Sequence, residues 1–152
     1  MDDIQELAHR FADAAAGRTV AAAESITAGQ LATALAAAPQ ASEWFCASIV
    51  AYHTGMKRTL LGVTAQAIIS RECAIQMAEG ILERTGADLA VTTTGVGGPD
   101  PEEGRPAGTV IICAGTRDDL RTFEHHFDGP PEEVVRQATL QALRHLTEAA
   151  RS

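Results

Sequence analysis

Basic residues are scarce in this chain: 12 lysines and arginines stand against 20 aspartates and glutamates over 152 residues, for a net charge of −8. Binding that tracks a nucleic-acid backbone rests on the counterions that many Lys and Arg release. The acidic balance therefore excludes a broad surface of that kind and predicts no nucleic-acid partner, while a small anion held by backbone amides stays open. Cysteine is sparse too. Cys46, Cys73 and Cys113 are odd in number and widely separated, which fits neither a disulfide framework nor the close Cys/His pairs of a zinc site. The expectation is reduced, buried thiols and no metal. No basic start followed by an apolar stretch occurs at Met1 to Ala16, and no apolar run approaches the ~20 residues that span a bilayer. A cytoplasmic location without a membrane partner is the default.

Aromatic residues make up only 4% of the chain although 45% is hydrophobic, which predicts a core of small aliphatic side chains. A chain of this length hides about 70% of its unfolded surface around one core. A single domain over residues 1–152 follows.

Hydrophobic periodicity supplies the elements. Ile4, Leu7, Ala8, Phe11 and Ala15 recur at helical spacing before Gly17. Thr19 to Ala23 is a short buried strand, Gln30 to Ala38 a helix stopped by Pro39, Cys46 to Tyr52 a second strand, and Met56 to Leu61 a short helix before Gly62. Ala74, Met77, Ala78, Ile81 and Leu82 form a helix closed at Gly86. Asp88 to Thr93 and Thr109 to Ala114 are strands separated by the Gly-, Pro- and acid-rich stretch Gly95 to Ala107, where loops often carry function. A hairpin across Thr116 to Asp119 leads to a strand at Leu120 to Phe127, and Glu132 to Ala149 is a long helix with Val135, Thr139, Ala142, Leu143 and Leu146 inward. Strands alternating with helices predict one layered α/β/α domain with a mostly parallel or mixed central sheet and a ligand at the strand ends.

The segment Ala23-Glu24-Ser25-Ile26-Thr27-Ala28-Gly29 carries the most chemistry. It sets a hydroxyl at a strand end beside the unpaired amides of a helix start, which could face an oxyanion. Taken alone, Ser25 or Thr27 as a helix cap is the plainer reading. Some thirty residues later, Tyr52 and Lys57 flank a strand-to-helix corner, and a neutral lysine can take a serine's proton. That requires burial or a nearby positive charge to lower a pKa of about 10.4. Thr94-Gly95-Val96-Gly97-Gly98-Pro99 brings backbone N–H groups where an anion could sit, yet it is neither a Walker loop nor a dinucleotide fingerprint. His125 and His126 are adjacent, face opposite sides of a strand and have no partner at zinc-like spacing; they read as structural or surface residues.

Together these blocks, with Leu61-Gly62-Val63, Pro106-Ala107-Gly108-Thr109-Val110 and Arg136-Gln137-Ala138-Thr139, resemble the C-terminal domain of the competence-damage-inducible protein CinA. That family includes a stand-alone nicotinamide-nucleotide amidase type. The resemblance covers nearly the whole chain and implies deamidation of nicotinamide mononucleotide to nicotinate mononucleotide and ammonia in pyridine-nucleotide recycling. On that reading the chain is a serine-dependent amidohydrolase without metal or cofactor. Ser25 is the nucleophile, Lys57 its base and Tyr52 a hydroxyl that relays or orients the proton. Thr27, Ala28 and Gly29 face the oxyanion, while Thr94, Gly95, Gly97 and Gly98 approach the phosphate. The partner implied is a pyridine mononucleotide, and apolar helix faces allow a homo-oligomer.

The chain is a divergent member. Ile26 and Ala28 stand where the family pattern has Cys and Gly, and a Cβ at position 28 is costly if φ there is positive. Pro131 and Val135 stand at usual arginine positions, and neither replaces a guanidinium fork. Arg105 is the candidate substitute. Two other readings follow from these departures: a catalytically impaired member acting as a nucleotide-binding or protein-interaction module, and an amidase for a different small metabolite.

Overall fold

In the computed structural model, which describes residues 1–152, each helix begins and ends where local chemistry allows. Asp2 accepts from the Gln5 amide while the Gln5 side chain reaches back, a reciprocal cap that starts α1 (Asp3–Ala15). Ser70 caps α5 (Arg71–Thr85), and Gly86 ends it in the left-handed conformation. Pro131 occupies the first turn of α6 (Pro131–Arg151), where its missing N–H costs nothing. The remaining elements are β1 (Val20–Glu24), α2 (Gln30–Ala36), the single turn α3 (Ala41–Trp44), β2 (Phe45–Val50), α4 (Thr54–Leu61), β3 (Leu89–Gly95), β4 (Thr109–Thr116) and β5 (Asp119–His126).

The five strands lie in the order β2-β1-β3-β4-β5. β1 runs parallel to β2 and to β3, whereas β3, β4 and β5 pair antiparallel. The expected layered α/β/α domain with a mixed sheet is present. Val20, Ala22, Leu89, Val91, Val110 and Ile112 point toward α1, α2 and α6 and pack with Phe11, Leu35, Leu143 and Leu146. Ala21, Ala23, Ala90, Ile111 and Cys113 point the other way, toward Leu61, Met77 and Ile81 of α4 and α5. This is the two-residue alternation of a strand buried on both faces. It also explains why alanine, a weak strand former, fills β1: helices close on the strand from both sides.

Cys73 and Cys113 are buried as expected, and burial pushes their thiols up to about 11 and about 12. Cys46 departs from the expectation and is exposed, near the start of β2, an edge strand of the sheet. No helix is long and apolar enough to cross a membrane.

Candidate functional site

The parallel strands β1, β2 and β3 end on one side of the sheet, the place where the loops of a layered α/β domain gather. A cleft of about 410 Å³ opens there, lined by Ser25, Ile26, Tyr52, Thr54, Lys57, Ile68, Ile69, Thr94, Gly95, Gly97, Gly98, Glu102, Glu103, Pro131 and Val135. Seven of the residues predicted from sequence thus share one cavity: Ser25, Tyr52, Lys57, Thr94, Gly95, Gly97 and Gly98.

Lys57 is the unusual member. His53 caps α4 by accepting the Gly55 amide at 3.0 Å, and the first turn then turns Lys57 inward, one helical turn before buried Leu61. The lysine is 1% exposed. Its Nζ donates to the backbone carbonyl of Tyr52 at 2.9 Å. Burial lowers its pKa, against the opposing pull of Cys73, Glu102 and Glu103. Tyr52 itself is 69% exposed: it meets the amine through its carbonyl, and its ring stands at the mouth of the cleft.

The other predicted residues do different work. The amide of Ala28 donates to the Ser25 carbonyl at 3.1 Å and that of Gly29 to Glu24 Oε1 at 3.1 Å, so neither amide is free to meet an oxyanion. Ala28 and Gly29 line a separate surface depression beside α1. Thr27 is fully buried, its hydroxyl donating to Glu24 at 2.7 Å and lying 2.9 Å from Thr93 Oγ1. Arg105 pairs with Glu124 of β5 at 3.1 Å and holds that carboxyl below the usual range. It is not a cleft residue and does not replace the arginines absent at 131 and 135. Arg136 is likewise engaged, with Glu133 at 2.9 Å.

Two acidic residues were missed by the sequence reading. Glu24 is completely buried and accepts five hydrogen bonds, from Thr27 Oγ1, Gly29 N, Leu31 N, Ala32 N and Ser48 Oγ, at 2.7 to 3.1 Å. It joins the end of β1 to the start of α2 and to β2. The sequence signal was an acid directly before a segment that must satisfy a helix's first amides. Glu103 accepts the amides of Ile68 and Ile69 at 2.9 and 2.7 Å, fastening the acidic loop across the cleft to the segment before α5. Thr94 holds the same segment from below, its hydroxyl donating to the Ile68 carbonyl at 3.0 Å.

Ala28 adopts φ 45°, the left-handed conformation that a Cβ disfavours by about 1–2 kcal/mol. Replacing Ala28 by Gly is therefore expected to stabilise the protein by about 0.5–1 kcal/mol after the entropy of the more flexible unfolded chain is deducted. The measurement is a rise of about 1–4 °C in melting temperature; an unchanged or lowered value refutes strain at this turn.

Comparison with known proteins agrees with the sequence resemblance at family level. The model of the CinA C-terminal domain matches residues 4–150. A putative competence-damage inducible protein of Bacillus pumilus is 38% identical over 135 residues, covering 86% of this chain and 32% of that protein. A CinA-like protein of Thermotoga maritima is 34% identical over 137 residues, 85% of this chain and 33% of its own length. The chain thus spans about a third of the curated relatives it matches. Among solved structures, a CinA superfamily protein from Klebsiella pneumoniae superposes with a TM-score of 0.92 at 35% identity, covering 97% of both chains. A competence/damage inducible protein from Agrobacterium tumefaciens gives 0.90 at 32% identity, covering 98% of this chain and 96% of that one.

These findings correct the functional expectation. The similarity is to the C-terminal module of CinA, and it supports the family without the nicotinamide-nucleotide amidase type. Assignment as a serine-dependent amidohydrolase acting in pyridine-nucleotide recycling is withdrawn, and with it the pyridine mononucleotide as substrate. The cleft gives a physical reason for the second correction. Pro131 and Val135 form wall where a phosphate would need guanidinium groups, and Glu102 and Glu103 add negative charge. From sequence match, fold and site placement together, the chain belongs to the CinA C-terminal domain family.

Proposed function

We propose that this chain is a binding module of the CinA C-terminal class, one that holds a small polar molecule in the cleft without converting it. The ligand class is an uncharged or singly charged compound with a hydrogen-bond acceptor such as a carbonyl oxygen, and without a phosphate. One observation carries this reading: the Lys57 amine is buried at a cleft wall with Tyr52 O as its protein partner. An amine carries two or three N–H donors, so this arrangement leaves donor capacity for a ligand. Ser25 adds a hydroxyl from the end of β1, and the apolar side of the cleft, Ile26, Ile68, Ile69, Pro131 and Val135, suits an unphosphorylated ring or alkyl group.

Calorimetry with matched pairs of compounds, such as a nucleoside and its monophosphate together with small carboxamides and carboxylates, tests this reading. The unphosphorylated member of each binding pair should bind more tightly. Lys57→Met, close in volume but unable to donate, should weaken binding by about tenfold or more, the value of a hydrogen bond from a buried amine. Binding that is indifferent to Lys57→Met, or ammonia released from any bound carboxamide, overturns the proposal.

A further inference from the structure

Away from the cleft, β5 and α6 are tied by two imidazoles. His125 Nε2 and His145 Nε2 lie 2.9 Å apart, and the ring centroids are 5.1 Å apart. The centroid separation is close to the nitrogen contact plus two ring radii, so the nitrogens meet nearly head-on. Such a contact holds one proton, with one ring donating and the other accepting. Both rings are fixed by aromatic neighbours: Phe123 stacks on His145 at 3.7 Å and 6°, and Phe127 lies parallel to His125 at 5.2 Å and 10°. His145 Nδ1 is buried without a hydrogen-bond partner, Glu148 Oε2 standing 3.8 Å away. In the neutral pair one ring therefore donates its Nε2 proton and the other accepts it.

We propose that the His125 and His145 pair is a proton-operated latch between β5 and α6. With both rings neutral it ties strand to helix. One added proton gives a single positive ring whose N–H can still donate to the other; a second added proton sets two N–H groups against each other and places two positive rings in contact, and the tie is lost. The surroundings decide how readily that proton enters. On β5, His126 opposes charge on His125, while Glu124 is already engaged by Arg105 at 3.1 Å and His126 at 2.9 Å. On α6, Arg144 opposes and Glu148 favours charge on His145. Asp119 and Arg121, at the other end of β5, are paired with each other at 3.1 Å. From α5, Arg71 donates to Thr122, and Arg18 donates to the Ala150 carbonyl near the end of α6.

Burial, reinforced by the neighbouring histidine charge in each case, keeps both rings below the ordinary histidine range. The unfolded chain, with histidines near pKa 6.5, therefore binds more protons than the folded one on acidification. The latch contributes fully above about pH 6.5, and its contribution falls as pH drops from there toward the folded values. The helix it releases also supplies Pro131 and Val135 to the cleft wall, so latch and cleft share one element.

Urea unfolding of the full chain at pH 7.5 and pH 5.5 tests the latch. The wild-type folding constant should fall by about tenfold or more over this interval. In His125→Phe/His145→Phe, which keeps aromatic packing but cannot take a proton, it should fall by about threefold or less. Equal falls in the two proteins overturn the proposal. Should the double variant not fold, imidazole nitrogen NMR of the wild type gives the answer. One of the two Nε2 atoms should be protonated and the other bare at pH 7.5, with double protonation accompanied by loss of native signals. Two rings that both protonate above pH 6.5 with native signals intact refute the latch.

Discussion

Glu24→Ala is expected to remove about 4–5 kcal/mol of stability, seen as a fall of about 8–20 °C in melting temperature. Three of the five groups bonded to Glu24 are backbone amides at or near the start of α2, and two are hydroxyls of Thr27 and Ser48. Truncation leaves these buried and part-buried donors without their carboxylate acceptor, at a cost of about 1–3 kcal/mol for each that neither water nor another acceptor reaches. Domains of this kind are typically stable by only about 5–15 kcal/mol, so about a quarter or more of the total is at stake. Glu24→Gln separates charge from shape. It preserves volume and one acceptor oxygen but turns an NH2 group toward donors, and a loss of about 2–3 kcal/mol is expected. A melting temperature within about 2 °C of wild type for both variants would show that the carboxylate does not organise this corner.

Gly80→Ala should also destabilise, by about 2–3 kcal/mol, although helix propensity alone argues for a gain of about 1 kcal/mol on replacing a mid-helix glycine. The two effects differ in sign, and the contact decides. A Cβ at residue 80 would stand 2.1 Å from the Leu61 carbonyl oxygen and 2.9 Å from its carbon. These are backbone atoms at the end of α4 and cannot swing aside as a side chain would. The helices must move apart, and α4 carries Lys57. A lowered denaturation midpoint with weakened cleft binding is the expected pair of results; a stabilised Gly80→Ala protein would mean that α4 and α5 slide freely.

Most of the architecture was legible in the chain because its signals are local. The 3.6-residue period of α5 and α6, Gly86 as a stop and the turn between Thr116 and Asp119 depend on near neighbours, and every element except the single turn α3, which was not expected, lies within a few residues of its expected place. The convergence of Ser25, Tyr52, Lys57 and the Gly95 to Gly98 loop was also legible, since strand ends gather on one side of such a sheet. Directions of side chains and amides were not. Whether the Gly29 amide faces a ligand or Glu24 depends on a carboxylate whose importance appears only when β1, α2 and β2 are assembled. Arg105 looked free for a substrate because Glu124, its partner, lies nineteen residues away, on β5, while Arg105 itself is in the loop before β4. His125 read as a structural or surface residue with no partner named for the same reason, His145 being a distant contact across two elements. The step from family to catalysis failed for a different cause: likeness to a module fixes a fold, whereas chemistry depends on the individual groups within it.

The alanines of β1 put only methyl groups between the strand and the helices packed on either side of it. Enlarging Ala21 or Ala23 would press on the α4 and α5 side, and enlarging Ala22 on the α1 and α6 side. Methyl-sized side chains thus act as a gauge for the interior, setting how closely the helices approach the strand that carries Glu24 at its end and Ser25 just beyond.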